Sequence, residues 1–257
     1  MIGEVTDASA LPMTLTRQAP RQQRATWRRH LGTALEVAGG ALVALGFAAT
    51  ALLAAVPSVT HLSSLVQADL AEHRAPGLSS LPKRIADAVV AAEDHAFGTP
   101  PGVDIAYGVV RYLYARLLGR ESQGGSTIAQ QLAKNVYLEH HAPGPIAELE
   151  SVGLALKLEL SYSPRQILTL YLEQAYYGDG AYGVTQAARR YFHRSPAQLD
   201  WAQAALLAGL LQAPSADDPL AHPRAARLRR NEVLGELEST GALSGAEAAR
   251  SARRPVP

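Results

Sequence analysis

Two acidic residues, Glu93 and Asp94, directly follow the apolar segment Ala88–Ala92. The segment predicts a helix that ends at this pair, and partial burial there would raise the pKa of a carboxyl group. A carboxylate with a raised pKa is suited to general acid–base chemistry. An acidic pair at a helix end is also typical of a solvated helix terminus, so the pair alone leaves both interpretations open.

A second candidate site lies where a glycine-rich segment, Gly124–Thr127, leads into a helix. Thr127 and Gln130 have the spacing of a capping box, and free backbone N–H groups at a helix start attract anions. Gln131 and Lys134 fall on the same polar face as Thr127 and Gln130. The pattern predicts a phosphate-binding site, although an ordinary amphipathic helix with a polar outer face has the same pattern.

A third acidic position lies in the predicted helix IAELESVGLALKLEL, where Glu150 borders the apolar stripe. Glu148 is an equal candidate by position, and a solvated glutamate is the alternative for both. The chain has no cysteine and its eight histidines lack the spacing of a metal-binding helix. We therefore expect no metal site built from the protein alone.

The elements that position these residues are predicted to be helices. Strand-like alternation is scarce, Pro82 opens one helix, and capping signals at Thr127, Ser195 and Asp200 open others. The fold class is therefore predicted to be all-α.

Composition excludes several classes of protein. The 257 residues carry a net charge of only +1, and aromatic residues make up 6%. Neither value indicates a nucleic-acid surface, and the absence of cysteine excludes disulfide frameworks and thiolate chemistry. No nucleic-acid partner is expected.

The uncharged run Val37–Val56 is long enough, at about 20 residues, to cross a bilayer as a helix. We expect residues 31–57 to span the membrane; a cleaved signal peptide and a buried soluble helix are the alternatives. Residues 1–30 are expected to form a poorly ordered basic tail. Its arginines predict that it stays cytoplasmic, with the rest of the chain outside. These are Arg17, Arg21, Arg24, Arg28 and Arg29.

Three motifs occur in order along the chain. They read EDHAFGTPPGVD from Glu93 to Asp104, GGSTIAQQLAKN from Gly124 to Asn135, and SPRQILTLYL from Ser163 to Leu172. This series resembles the peptidoglycan glycosyltransferases of family 51, which include the glycan-polymerising domain of class A penicillin-binding proteins and the monofunctional biosynthetic transglycosylases.

The resemblance implies an all-α, lysozyme-like domain over residues 78–243, joined to a single N-terminal transmembrane helix by a linker over 58–77 and followed by a frayed tail over 244–257. It implies an enzyme that polymerises lipid II on the outer side of the bacterial cytoplasmic membrane. The reaction inverts the sugar carbon and releases undecaprenyl pyrophosphate. The implied partners are lipid II, the growing glycan strand, the membrane and other cell-wall synthesis proteins.

The resemblance also implies roles for individual residues. Glu93 is the expected general base and Glu150 the expected second catalytic glutamate. No cofactor is required, although a divalent cation, Mg²⁺ or Mn²⁺, can assist. The expected substrate-binding residues are Asp94, Phe97, Gly125, Ser126, Thr127, Gln130, Gln131, Lys134 and Asn135.

The chain departs from the family pattern at several positions. Pro100 replaces a histidine of the first motif, and Ala142, Ile146 and Ala147 stand where basic residues are usual. Counting back from Tyr162 would place the second glutamate at Ser151 instead of Glu150. These departures keep open an alternative function, a catalytically impaired lipid II-binding or scaffold protein.

Overall fold

The computed structural model describes residues 21–117 and 126–257, and these residues are mainly helical. Apart from one isolated β-bridge between Tyr176 and Tyr182, they contain no strand, which confirms the all-α prediction. A 3₁₀ turn covers Pro196–Gln198. The helices are α1 (Arg21–Ala55), α2 (Leu62–Glu72), α3 (Lys83–Glu93), α4 (Val103–Leu117), α5 (Ile128–Tyr137), α6 (Pro145–Ser161), α7 (Pro164–Gln174), α8 (Gly183–Phe192), α9 (Trp201–Leu210), α10 (Pro223–Ser239) and α11 (Gly245–Ala252).

The chain divides into two units, residues 1–50 and residues 51–257. The described part of the first unit belongs to α1, in which Glu36–Ala55 forms a run with mean hydropathy 2.1 that is long and apolar enough to cross a membrane. Most of the described side chains of this run are exposed, Val37 and Phe47 each at 73%. Residues 21–30 are helical, so the prediction of a poorly ordered tail is wrong for them, while residues 1–20 lie outside the described residues.

The core of the second unit is built around α9. Eight of its ten residues are buried, because the helix is apolar on all sides and packs between α3 and α10. On the other side of the unit, α5 packs against α6 and α7. These two groups of helices carry the residues predicted to do chemistry.

The sequence suggested a linker over 58–77, but the structure shows otherwise. The segment contains α2, whose residues Leu62, Val66 and Leu70 form an i, i+4, i+8 stripe that is buried in the core. The carboxylate of Glu173 on α7 accepts a hydrogen bond of 2.7 Å from the backbone N–H of Leu78. The helical domain therefore already includes α2.

The expectation of a frayed tail over 244–257 is also wrong. Ser244 and Glu247 form a capping box that starts α11. Arg230, only 1% exposed, donates hydrogen bonds to the carbonyl oxygens of Ala252 (2.8 Å) and Arg254 (2.7 Å). A buried guanidinium satisfied by backbone carbonyls fixes the end of α11 to α10.

Capping boxes define several helix starts. The three predicted from sequence, at Thr127, Ser195 and Asp200, are confirmed. Two more, at Ser163 and Ser244, were not predicted. Each box satisfies two backbone N–H groups that a helix start would otherwise leave unpaired.

The last turn of α1 is fixed to α6 within the second unit. Lys157 donates hydrogen bonds to the carbonyl oxygens of Val56 (2.7 Å) and Pro57 (3.1 Å), which satisfies groups that a helix end leaves free. Gly153 lets the helices approach closely, because a Cβ atom there would lie 2.9 Å from side-chain carbons of Leu52 and Val56.

This close approach can be tested with two alanine substitutions. Gly153→Ala should lower the free energy of unfolding by about 1–2 kcal/mol, because the added methyl group overpacks the contact with Leu52 and Val56. Gly235→Ala on α10 is the matched control. No atom lies within 4 Å of a Cβ there, so the change should stabilise the helix by about 0.5–1 kcal/mol. Thermal unfolding in detergent measures both, and equal shifts in the same direction would contradict the close approach.

Candidate active site

Glu93 is the last residue of α3, and its carboxylate is half-buried. The apolar face of α3 packs into the core through Ile85, Ala88 and Val89, which draws the helix end inward. Glu93 Oε2 accepts a hydrogen bond of 2.8 Å from Nε2 of Gln131, whereas buried Oε1 has no hydrogen-bond partner among the described residues. The side chain therefore keeps one oxygen with unused acceptor capacity.

Burial raises the pKa of the Glu93 carboxyl group, and the hydrogen bond from Gln131 and the positive charge of Arg229 only partly oppose that rise. A carboxylate with this environment accepts a proton more readily than an exposed one. Of the two interpretations that the sequence left open, the structure shows the partly buried carboxylate and not the solvated helix terminus.

Gln131 is held in one orientation by a third residue. The hydroxyl group of Tyr171 on α7 donates a hydrogen bond of 2.7 Å to Gln131 Oε1, which leaves the amide nitrogen to face Glu93. Burial and the negative charge of Glu93 raise the pKa of Tyr171 well above its usual value, so the hydroxyl stays protonated and remains a donor. The three side chains form a chain of hydrogen bonds across α7, α5 and α3.

Glu93 and Gln131 line a cleft, and Lys134 and Ser126 line it too. The ammonium group of Lys134 is 3.3 Å from Ser126 Oγ, and Ser126 directly precedes the capped start of α5. The cleft has a volume of about 570 Å³. Its walls bring together five of the predicted site residues, Glu93, Ser126, Gln131, Lys134 and Asn135.

Three other predicted binding residues hold the start of α5 and do not line the cleft. Thr127 and Gln130 use their side chains in the capping box. Asp94 is 6% exposed, and its carboxylate accepts hydrogen bonds of 3.2 Å from the N–H groups of Ile128 and Ala96. The geometry gives these residues a positioning role, and direct contact with substrate stays a prediction.

Two of the remaining predicted residues, Phe97 and Glu150, do not line the cleft. Phe97 packs against the hydrophobic core, and Gly125 lies outside the described residues. Glu150 lies away from the cleft and approaches His141, with 3.9 Å between its Oε2 and the histidine Nε2. Glu148 is the acidic residue of α6 that contacts a cleft residue, because both its oxygens lie within 2.9 Å of Lys134 Nζ.

Sequence reasoning missed several residues of the cleft, Tyr171, Ala175, Tyr176, Leu211, Gln212 and Pro214. The loop after α7 brings some of them together through Gly178, which has a φ of 86°. A Cβ atom there would clash with the carbonyl oxygen of Pro214, so only glycine allows the two loops to meet. The glycines of the loop after α7 and Pro214 can be read from the sequence, but the contact between them cannot.

No group of three or more histidine, aspartate or glutamate side chains within 21–117 and 126–257 is placed to hold a metal ion. A role for Mg²⁺ or Mn²⁺ therefore stays a prediction.

Two of the positions that depart from the family pattern, Ala142 and Ile146, are exposed in the structure and supply no positive charge.

The loop after Glu93 is held by a carboxyl group from α6. Glu159 on α6 accepts a hydrogen bond of 2.7 Å from the N–H of Gly102, and Asp104 lies beside it at the start of α4. Burial, together with the negative charges of Asp104 and Asp94, raises the pKa of Glu159 to about 7. Below neutral pH the folded state thus keeps a proton on Glu159 that the unfolded chain has largely released.

This pKa predicts how stability depends on pH. The folded state holds more protons than the unfolded state between about pH 4.5 and 7, so the free energy of unfolding should fall as pH rises through this window. Glu159→Gln should remove that slope, because its amide accepts from Gly102 and donates to Asp104 at any pH. Above pH 8 we expect it to be more stable than wild type by about 1–2 kcal/mol, after allowance for partial exposure.

Denaturant unfolding at a series of pH values measures this effect. Glu238→Gln, an exposed carboxylate on α10, is the control for removal of one charge. A Glu159→Gln variant that is less stable than wild type at pH 8 would show that the folded state needs the ionised group.

Comparison with known proteins gives one family. Residues 59–238 match the family described as Transglycosylase. A protein of Cupriavidus necator named as a candidate transglycosylase is 39% identical over 213 residues, covering 83% of this chain and 89% of that protein. Penicillin-binding protein 1F of Bacillus subtilis is 37% identical over 72% of this chain, and penicillin-binding protein 1A of Neisseria flavescens is 40% identical over 65%.

This chain covers 26% and 21% of the length of these two penicillin-binding proteins, about a quarter of each. The crystal structure of penicillin-binding protein 1A from Haemophilus influenzae aligns with a TM-score of 0.40 and 21% identity, over 71% of this chain and 17% of that one. That score is too low to establish a common fold.

Proposed function

The chain belongs to the transglycosylase family, and on that basis we propose that it polymerises lipid II into glycan strands with release of undecaprenyl pyrophosphate. One observation carries the proposal. A half-buried carboxylate with unused acceptor capacity, Glu93, shares a cleft with a cation, Lys134, and a hydroxyl group, Ser126. A reaction that removes a proton at one point and expels a diphosphate at another needs a base at the first point and a group that binds the anion at the second.

In the proposed reaction, Glu93 takes the proton from the 4-hydroxyl group of the acceptor sugar as that oxygen attacks C1 of the donor sugar. The bond from C1 to the diphosphate oxygen breaks, and the configuration at C1 inverts. Lys134, Ser126 and the positive end of α5 stabilise the negative charge that develops on the leaving diphosphate. Gln131 and Tyr171 hold the Glu93 carboxylate in place.

The proposed setting is the outer side of a bacterial cytoplasmic membrane. The apolar run of α1, Glu36–Ala55, supports an anchor by its length and composition. The arginines that precede it support an orientation with the N-terminus in the cytoplasm. Lipid II and the growing strand, both held in the membrane by their lipid, would then be the direct partners.

A second candidate function is that of a non-catalytic lipid II binder or scaffold of the cell-wall synthesis machinery. It is favoured by the pairing of Lys134 with Glu148, which reduces the positive charge offered to a diphosphate. It is also favoured by the alanines at 142 and 147, where the family usually has basic residues. The binder and the polymerase differ in whether product strands form.

The general-base role of Glu93 gives the first test of the polymerase. Glu93→Gln should reduce polymerisation by at least about 100-fold, because an amide cannot accept the proton. It should leave thermal stability and lipid II binding nearly unchanged. The measurement is polymerisation of labelled lipid II by the full chain in detergent, with glycan strands separated on a gel.

Glu238→Gln, which removes an exposed carboxylate on α10, is the control and should retain wild-type strands. Strands made by Glu93→Gln at the wild-type rate would exclude Glu93 as the base. Lipid II binding by wild type without any strands would favour the non-catalytic binder.

The hydrogen bond from Tyr171 gives a second test. Tyr171→Phe should free the Gln131 amide, so that Glu93 loses the hydrogen bond that lowers its pKa. We expect kcat to fall about tenfold. The acid limb of the kcat/KM profile should move to higher pH, because a base with a higher pKa becomes ionised only at higher pH. A lower rate with an unchanged pH profile would mean that Tyr171 supports the fold and does not act through Glu93.

A further inference from the structure

Lys134 makes three polar contacts with other side chains of the chain. Its ammonium group carries three N–H donors. It lies 2.8 and 2.9 Å from the two carboxylate oxygens of Glu148, and 3.3 Å from Ser126 Oγ. A phosphate oxygen that binds Lys134 must therefore displace one of these acceptors.

Glu148 is the acceptor that can leave. Its side chain is 61% exposed, whereas that of Lys134 is 31% exposed, and an ion pair so open to water is weak. Glu148 lies in the first turn of α6, where the helix dipole stabilises a carboxylate without any partner. Its backbone N–H also donates to the carbonyl oxygen of Gly144. Release from Lys134 thus leaves the start of α6 intact.

The pairing also changes the charge of the cleft. Lys134 is the only cationic side chain among the cleft-lining residues that the structure describes. Pairing with Glu148 cancels that charge, so the pair offers an approaching anion no net positive charge. An anionic ligand must therefore compete with the Glu148 carboxylate for the ammonium group.

We propose that Glu148 is a displaceable counter-ion that limits the affinity of the cleft for the diphosphate group of its ligand. The inference rests on the proposed function, because it takes the diphosphate to be bound at Lys134. The carboxylate gives way when the diphosphate arrives and returns to Lys134 when it leaves. A weaker hold on the leaving diphosphate favours product release, which often limits turnover.

Binding of inorganic pyrophosphate to the full chain in detergent, followed by calorimetry without divalent cations, tests this inference. Glu148→Gln should bind pyrophosphate about three- to tenfold more tightly than wild type. Glu139→Gln is the matched control, because it removes the same charge from an exposed glutamate just after α5. It should change the affinity by less than about 1.5-fold.

A double-mutant cycle separates competition for Lys134 from general repulsion. In a Lys134→Ala background, the gain from Glu148→Gln should shrink to less than about twofold. A full-sized gain there would overturn the counter-ion role. Weaker or unchanged binding by Glu148→Gln would also overturn it, and so would a failure of every variant to bind pyrophosphate.

The outcome is independent of catalysis, because pyrophosphate binding needs no turnover. A chain that binds pyrophosphate with the predicted order of affinities but makes no glycan strands would refute the polymerase and retain the counter-ion. A chain that makes strands, but whose affinity for pyrophosphate does not rise on Glu148→Gln, would support the polymerase and refute the counter-ion.

Discussion

The hydrogen bond between Glu93 and Gln131 joins the two halves of the helical domain at the point where the chemistry is proposed. Glu93 ends α3, which packs with α9 and α10, and Gln131 belongs to α5, which packs with α6 and α7. The cleft lies where these two groups of helices meet. Burial at that junction gives Glu93 its raised pKa, and Tyr171 fixes the amide that faces it.

Two residues next to the site, Asp94 and Thr127, hold the backbone in place by accepting hydrogen bonds from it. Asp94 and Thr127 both satisfy N–H groups at the start of α5, so the loop after α3 and the first turn of α5 are held together by one buried carboxylate and one cap. Because Gln131 and Lys134 lie one and two turns further along α5, any shift at its start would move them both. Motif residues that do not line the cleft can therefore still control the site's geometry.

Local signals in the sequence predicted the helical class and the cap at Thr127, because each depends on residues close together in the chain. The burial of Glu93 stayed open, because it depends on how the end of α3 packs against other helices. The contact between Tyr171 and Gln131 joins residues 40 positions apart, and the choice between Glu148 and Glu150 depends on how α6 crosses α5. The periodicity of the apolar residues predicts neither of these two features. The docking of the C-terminal segment was missed for the same reason, because it depends on a guanidinium from another helix, Arg230.

A cleft that holds both a general base and an anion site has conflicting electrostatic needs. Positive charge that favours the anion would lower the pKa of the base, whereas burial that raises this pKa disfavours any bound charge. Here Glu93 is desolvated at the end of α3, and Lys134 is neutralised by a carboxylate from a separate helix. On the proposed function, a diphosphate that replaces Glu148 restores negative charge beside Lys134. The charge of Lys134 then stays balanced, so it does not lower the pKa of Glu93 when the substrate is bound.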